Sequence, residues 1–219
     1  MNTLREQTDA QIEKTRQAKP ELMRGIDEIM ERAGQIEQGR DARTVGEQAP
    51  DFELPDTRGL KVSLSELLRA GPVVVTFYRG GWCPYCNLQL RALQGRLEEL
   101  QGWGAQLVAI SPEVPDGSLT KAEREALGFI VLSDQDARVA ARYGVAWEVP
   151  ETILAHMRTD RNLDLADINN GNGSVLPIPA TFVISGAGEV VWRYVDVDYR
   201  KRAEPSEVIA AVAALVESA

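Results

Sequence analysis

The chain has 219 residues, 44% of them hydrophobic and 26% charged, and its formal net charge is −9. This length and composition allow one globular domain of about 150–200 residues together with an appendage. Binding to nucleic acid or to an anionic membrane needs clustered lysine and arginine. No basic cluster stands out in this sequence, so neither is predicted as a partner. The polar first residues lack the apolar stretch of a secretory signal, and no run approaches the roughly 18 apolar residues of a membrane span. We therefore expect a cytoplasmic protein.

Residues 1–45 have the pattern of an N-terminal helical extension. Apolar side chains recur there at about helical spacing, with charged residues between them. Pro20 is expected to break the helix or to restart it as a first-turn residue. The apolar stripe either packs on the main domain, residues 46–219, or serves as a dimerisation arm. A homodimer through these helices is therefore one predicted assembly.

The remainder of the chain alternates between strand and helix patterns. The predicted strands are 52–54, 60–62, 72–78, 105–110, 129–132, 181–185 and 190–194. The predicted helices are 63–68, 84–102, 119–127, 137–143, 151–158 and 205–216. Residues 146–175 interrupt this alternation and are predicted to be an insertion. Strands alternating with helices, followed by a late antiparallel hairpin, predict an α/β fold with helices on both sides of the sheet.

Cys83 and Cys86 are the only cysteines of the chain, and they form a C-P-Y-C motif. Structural disulfides are rare in the cytoplasm, so this spacing predicts either redox chemistry or metal binding. Structural zinc normally uses four cysteine or histidine ligands, and the chain has two cysteines and one histidine. A zinc ion shared between two subunits is the remaining metal alternative. We predict a redox dithiol without a cofactor.

The motif follows a buried strand and a Gly80-Gly81 loop, and a helix is predicted to begin at Pro84. Cys83 would then cap this helix, where unpaired N–H groups and the helix dipole lower the pKa of a thiol. Cys86 would lie one turn inside the helix, close enough to Cys83 to form a disulfide. We expect Cys83 to face solvent, which favours it as the first sulfur to attack.

Two other residues are candidates for the chemistry of the dithiol. Arg79, in the loop before the cysteines, could stabilise a thiolate by its charge, and a solvated loop arginine is the alternative. His156 is the single histidine, and therefore the only candidate for a cysteine–histidine pair. It lies in the predicted insertion without a supporting pattern, so we expect a surface histidine.

From Ala49 onward the chain resembles peroxiredoxin-like proteins of the alkyl hydroperoxide reductase/thiol-specific antioxidant (AhpC/TSA) family. The segments that carry the resemblance are 49–55, 77–86, 108–112, 179–184 and 198–205. The resemblance implies a thioredoxin-like fold, in which a central mixed sheet is flanked by helices, here with an N-terminal helical extension. It also implies the reduction of peroxides by a cysteine and a thiol donor such as thioredoxin or glutathione.

The sequence departs from the family pattern at single positions around the cysteines. In the alignment, the peroxidatic cysteine of ordinary members falls on Cys86, and Cys83 takes the place of a threonine. Arg79 takes the place of a proline. The alignment therefore assigns the attacking sulfur to Cys86 and the resolving sulfur to Cys83, in the opposite order to the exposure argument.

Pro179 stands where ordinary members have an arginine that orients the peroxide. Peroxide reduction should then be slower unless Arg79 or Arg202 substitutes for that arginine. The corresponding proline of thioredoxins is cis and contributes to the substrate surface. Pro179, Arg79 and Trp82 are therefore the predicted substrate-binding residues. Asp196, Asp198, Tyr199 and Arg202 could line a pocket near the cysteines, but a solvated charged loop is the expectation.

Three function hypotheses follow from these features. The first is a thiol peroxidase, in which a sulfenic acid on one cysteine condenses with the other to a disulfide that a thiol donor reduces. The second is a protein disulfide reductase, with Cys83 as nucleophile and Pro179 in the substrate platform. The third is a redox sensor without turnover that uses the N-terminal arm.

Overall fold

The structure is a computed structural model and describes residues 2–35, 39–114 and 127–218. The helix predicted over 119–127 lies outside these ranges except at its last residue. No helix in the described ranges is long and apolar enough to cross a membrane.

The helices and strands are named here in chain order. The helices are α1 (Leu4–Ala18), α2 (Pro20–Gln35), α3 (Leu64–Leu68), α4 (Pro84–Gln94), α5 (Leu97–Gly102), α6 (Arg138–Arg142), α7 (Glu151–Arg161), α8 (Leu165–Ile168) and α9 (Pro205–Glu217). The strands are β1 (Glu53–Pro55), β2 (Lys61–Ser63), β3 (Val73–Phe77), β4 (Gln106–Ser111), β5 (Ile130–Ser133), β6 (Ala146–Glu148), β7 (Val175–Pro177), β8 (Ala180–Ile184) and β9 (Val190–Val195). Each strand predicted from the sequence is present within one residue of its predicted bounds.

The central sheet has five strands in the order β5-β4-β3-β8-β9. Strands β5, β4 and β3 are parallel, whereas β8 and β9 are antiparallel to their neighbours. β3 is buried on both faces, because Val73, Val75 and Phe77 join one apolar core and Val74 joins a second. This mixed sheet between two helix-covered cores confirms the predicted α/β class and is a thioredoxin-like fold.

The helix predicted over 84–102 is broken into α4 and α5. Arg96 leaves the helical conformation at φ −120° and ψ 13°, directly after Gly95. The Gln94 side chain accepts a hydrogen bond from the backbone N–H of Gly128 at 2.7 Å, so the end of α4 is bound to the residues just before β5. Glycine has a low helix propensity, and the break turns Leu97 and Leu100 into the second core.

The N-terminal extension forms two helices that pack on the rest of the chain. α2 begins at Pro20, so the predicted restart of the helix is confirmed. Met23, Ile26 and Met30 on α2 belong to the main apolar core. Of the two alternatives for the apolar stripe, packing on the main domain is the one observed.

Polar contacts also fix the extension. The Glu204 carboxylate, just before α9, accepts hydrogen bonds from the backbone N–H groups of Leu4 (3.1 Å) and Arg5 (2.6 Å) in the first turn of α1. The buried guanidinium of Arg200 donates to Asp27 on α2 at 2.5 Å and to Asp198 at 2.8 Å. The helices of the extension are thus held beside residues 196–204.

The predicted insertion, residues 146–175, is enclosed by a small two-stranded sheet. β6 pairs antiparallel with β7, which brings the two ends of the segment together. Between them α7 runs three residues further than predicted and buries Ile153, Leu154 and Met157 in the main core. This packing holds α7 against the domain.

Candidate active site

The two cysteines lie where β3 gives way to α4. Cys83 is the N-cap residue of α4, with extended dihedral angles, and its backbone N–H donates to the carbonyl of Gly80 at 3.1 Å. Pro84 occupies the first turn, where its missing N–H costs nothing, and Cys86 follows within that turn. Both cysteines are free thiols. The predicted placement of the motif at a helix N-terminus is confirmed.

The loop before the cysteines depends on one glycine. Gly80 has φ +149°, and a Cβ atom there would lie 2.3 Å from Nε1 of Trp82. Only glycine leaves room for the indole to fold back against the loop. The backbone N–H of the next residue, Gly81, donates to the Glu113 carboxylate at 3.0 Å. The loop is thus fixed by this hydrogen bond and by the Trp82 indole that packs against it.

Cys83 does not face solvent as predicted. It is 1% exposed, and Cys86 is fully buried. The N-terminal extension and the insertion both reach the dithiol, since residues of α1, α2 and α7 line the space beside Cys83. The sequence pattern around the motif could not indicate this cover, because it comes from segments far away along the chain.

A cavity of about 240 Å³ lies beside Cys83. Four parts of the chain form its walls: the extension (Thr15, Lys19, Leu22, Met23, Ile26), the dithiol loop (Arg79, Trp82, Cys83, Pro84, Tyr85), α7 (Ile153, His156, Met157, Arg161) and Tyr199. Cys86 is not among the described residues that line it. A small molecule in this cavity would therefore meet the Cys83 sulfur first.

Arg79 is buried and lies between two aromatic rings. Its guanidinium carbon is 4.1 Å from the ring centre of Tyr199 and 5.1 Å from that of Trp82. Cation–π contacts of this kind hold a guanidinium in a site with little water. The alternative of a solvated loop arginine is wrong, because Arg79 is 3% exposed.

Arg202 contacts the second cysteine directly. Its Nη2 donates to Sγ of Cys86 at 3.3 Å, and its Nη1 donates to the carbonyls of Lys201, at 2.7 Å, and Tyr199. The expectation of a solvated charged loop is therefore wrong for Arg202 and Tyr199, which take the alternative position near the cysteines. The family-like segment 198–205 was one usable signal for this position, but its charged composition favoured solvent.

The two thiols have opposite protonation preferences. Burial opposes the ionisation of Cys83, but a hydrogen bond from Cys86 and the charges of Arg79 and Arg202 outweigh burial and lower the pKa of Cys83 to about 5. Burial, the hydrogen bond to Cys83 and the negative charge on Cys83 raise the pKa of Cys86, against the charge of Arg202. At neutral pH the pair thus holds a thiolate on Cys83 and a thiol on Cys86.

This pKa predicts how the stability of the reduced protein depends on pH. Between pH 5 and the ordinary thiol pKa of about 8.5, the unfolded chain binds a proton at Cys83 that the folded protein does not. The free energy of unfolding should therefore rise with pH in this window, by at most about 1.4 kcal/mol per pH unit, relative to the Cys83→Ser variant. Urea denaturation of both proteins in reductant at several pH values measures the difference, and parallel pH profiles would contradict a thiolate on Cys83.

The predicted substrate-binding residues differ in their placement. Trp82 and Arg79 line the cavity, whereas Pro179 is buried at the start of β8 and is not among the described lining residues. The described residues contain no cis peptide bond, so Pro179 differs from the corresponding cis proline of thioredoxins. A role for Pro179 in substrate binding stays a prediction.

His156 lines the same cavity as Cys83, so the expectation of a surface histidine is wrong. Its side chain is 17% exposed, and its Nδ1 is hydrogen-bonded to the carboxylate of Asp160 one turn later on α7. The i, i+4 spacing of the two residues was a usable signal for this pair. No pattern in the sequence indicated that α7 faces the dithiol.

Metal ligands are scarce around this site. Within the described ranges there is no group of three or more histidine, cysteine, aspartate or glutamate side chains that could hold a metal ion.

The fold and the site together define a thioredoxin-like protein with a dithiol at a helix N-terminus. The family model described as "AhpC/TSA family" matches residues 45–193, and the chain belongs to this family. Peroxiredoxin Bcp of Escherichia coli (strain K12) is 36% identical over 100 residues, which are 46% of this chain and 64% of that protein. The chloroplastic peroxiredoxin Q of Sedum lineare is 35% identical over 102 residues, 47% of this chain and 54% of that protein. The chain thus spans less than two thirds of the length of these relatives.

Solved structures show the same fold. Peroxidoxin BcpB from Mycobacterium tuberculosis matches with a TM-score of 0.57 and 24% identity, over 78% of this chain and 97% of that one. AhpC from the same organism matches with a TM-score of 0.57 and 16% identity, over 81% of this chain and 95% of that one. At these identities the likeness concerns the fold alone.

Proposed function

We propose that this protein is a thiol peroxidase that uses Cys83 and Cys86 as its redox pair. The observation that carries the proposal is the surroundings of Cys83: it lies beside two buried guanidinium groups, is hydrogen-bonded to a second thiol and faces a cavity, an arrangement that favours a thiolate. A thiolate is the form of cysteine that attacks peroxides, and a neighbouring thiol can resolve the product. The family membership and the peroxiredoxins among the relatives support the same activity.

Within this function, we assign the first attack to Cys83. Its thiolate attacks one peroxide oxygen, the O–O bond breaks, and the products are a sulfenic acid on Cys83 and a hydroxide or alkoxide ion, which takes up a proton to become water or an alcohol. The Cys86 thiol then attacks the sulfenic sulfur, which releases water and forms the disulfide. This order is the reverse of the one that the alignment implies, and it follows from the ionisation of Cys83 and its contact with the cavity.

The two arginines replace the groups that ordinary family members use. Arg79 supplies a fixed positive charge beside the attacking sulfur, and Arg202 supplies one at the resolving sulfur. Both are buried, so their charges act with little screening by water. Peroxide reduction therefore does not need the arginine whose place Pro179 has taken.

The cavity favours a peroxide with an organic substituent. Its volume is several times the roughly 30 Å³ that one water molecule occupies, and its walls include Leu22, Met23, Ile26 and Met157. Hydrogen peroxide leaves these apolar walls in contact with water, whereas an organic hydroperoxide covers them. We therefore propose organic hydroperoxides as the better substrates.

The test is the oxidation of the reduced protein in stopped flow, followed by the fluorescence of the tryptophans. Cumene hydroperoxide should react about ten-fold faster than hydrogen peroxide or more, because it buries apolar carbon atoms in the cavity. The variant Leu22→Trp narrows the cavity at a half-buried wall residue. It should slow the reaction with cumene hydroperoxide and leave the rate with hydrogen peroxide unchanged.

An insulin reduction assay on the same protein distinguishes a peroxidase from a disulfide reductase. Insulin disulfides should be reduced slowly, because Cys83 is 1% exposed and a folded protein cannot reach its sulfur. If neither peroxide consumes thiol faster than free cysteine does, while insulin is reduced, the peroxidase proposal is wrong. Stoichiometric oxidation without turnover on any thiol donor would instead identify a sensor.

We place this reaction in the cytoplasm, where thiol donors are kept reduced. A small thiol such as glutathione can reach Cys83 through the cavity, whereas thioredoxin would need the extension to move away. A homodimer through the N-terminal helices stays a prediction, and Met23, Ile26 and Met30 are already buried within the same chain.

A further inference from the structure

The cavity contains a histidine that the mechanism above does not use. His156 and Cys83 come from elements far apart in sequence, yet both line the same 240 Å³ space. The Nδ1 atom of His156 is held by the Asp160 carboxylate, and the side chain is 17% exposed. An imidazole fixed at Nδ1 keeps its Nε2 atom for a second partner.

The peroxidase reaction needs a proton in this cavity. When Cys83 attacks a hydroperoxide, the leaving oxygen departs as an alkoxide unless an acid protonates it during the reaction. Cys83 has no proton to give, since its pKa is lowered to about 5 by Cys86, Arg79 and Arg202 against the effect of burial. The proton must come from another group that touches the cavity.

Among the charged and titratable groups around the cavity, His156 is the best proton donor. The guanidinium groups of Arg79 and Arg161 do not release protons in the physiological range. Burial raises the pKa of Tyr199 and raises that of Tyr85 to about 12, so both phenols hold their protons firmly. Lys19 lies exposed at the rim of the cavity. Histidine is the side chain that exchanges a proton readily near neutral pH.

We propose that His156 is the general acid of the reaction and that Asp160 is its positioning residue. The inference rests on the proposed peroxidase function. The Cys83 thiolate forms the S–O bond, the O–O bond breaks, and the imidazolium gives its proton to the leaving oxygen. The products are the sulfenic acid, an alcohol and neutral imidazole. Sulfur loses two electrons and the peroxide gains them. The proton neutralises the negative charge on the leaving oxygen.

The first test compares wild type with His156→Gln in stopped flow on two hydroperoxides that differ in the acidity of their alcohol product. Loss of a general acid should slow the reaction by about 10²-fold, and more for the hydroperoxide with the less acidic alcohol. The pKa of Cys83, measured by its ultraviolet thiolate absorbance, should not change. Thr152→Ala, an exposed change on the same helix, is the matched control and should react like wild type.

The second test uses the fact that the chain has a single histidine. The imidazole signals in an NMR titration therefore belong to His156 alone. The rate should fall at high pH with the midpoint of that titration, and this fall should be absent in His156→Gln. Added imidazole should restore the rate of His156→Ala, and Asp160→Asn should show a smaller loss than either histidine variant.

The outcomes separate the two proposals. If wild type fails to react with any peroxide, the proposed function is wrong. If wild type reacts and His156→Gln reacts equally fast, with the same dependence on the alcohol, the role of His156 is wrong. If His156→Gln does not fold, the inference is overturned when the wild-type rate shows no fall at the midpoint of the histidine titration.

Discussion

Cys83→Ser should abolish the reaction with peroxide, whereas Cys86→Ser should retain its first step. The serine at residue 83 offers no thiolate to the cavity, so the rate should fall at least about 10³-fold. In Cys86→Ser the Cys83 thiolate is kept, and its oxidation should stop at the sulfenic acid because no resolving thiol remains. Stopped-flow fluorescence measures the first step, and mass spectrometry after trapping with dimedone identifies the sulfenic acid.

The double serine variant is the control for fluorescence changes that do not involve either thiol. The reverse pattern, in which Cys86→Ser loses the first step and Cys83→Ser keeps it, would assign the attack to Cys86, as the alignment does. That result would also contradict the charge distribution at the site, in which Arg79 acts on Cys83 and burial keeps Cys86 protonated.

Arg79→Met should raise the pKa of Cys83 by about one to three pH units. Burial opposes the ionisation of this thiol, and the Arg79 guanidinium is one of the groups that outweigh burial. Without this charge the thiolate should form only at higher pH, so the rate of peroxide reduction near pH 6 should fall by about two-fold for a shift of one pH unit and by about ninety-fold for a shift of three. The pH dependence of the thiolate absorbance and of the oxidation rate should shift together.

The matched control for this change is Arg161→Met. Arg161 also lies against the Trp82 ring, at 5.8 Å, and lines the cavity, but it is not among the groups that shift the pKa of Cys83. The control should therefore titrate like wild type. Equal shifts of the Cys83 pKa in both variants would show a general effect of the cavity on the thiol. An unchanged pKa in Arg79→Met would show that Arg79 does not stabilise the thiolate.

The central sheet could be predicted from the sequence because its signals are local. The apolar run 72–78 predicts a strand buried on both faces, and β3 is buried at every residue. Pro84 after Cys83 predicts a helix start, because proline fits the first helical turn, and α4 begins there. In each case a few neighbouring residues determine the backbone, whatever the rest of the chain does.

The prediction for residues 84–102 shows where local signals stop. The leucine spacing favours one helix, but the structure has a break at Gly95 and Arg96. The break depends on the packing of Leu97 in the second core and on the hydrogen bond between Gln94 and Gly128, two residues that are 34 positions apart. Periodicity contains no information about such contacts.

The same limit applies to the environment of the dithiol. Arg202 is 116 residues from Cys86 in sequence and 3.3 Å from its sulfur in the fold. Leu22 and His156 reach the cavity from the extension and from α7, on opposite sides of the motif in the chain. No local pattern places these residues at a thiol, which is why the sequence favoured a solvent-facing Cys83 and a surface His156.

The amino-acid sequence alone predicts a dithiol at the N-terminus of a helix in an α/β fold, because strand, loop, proline and cysteine spacing are all local. The cover over Cys83, the positive charges of Arg79 and Arg202 at the site, and the cavity with His156 beside it depend on the tertiary fold. Those properties arise where the extension, the insertion and the loop after β9 pack together. Burial and long-range charge then set the pKa of each thiol and select which sulfur attacks.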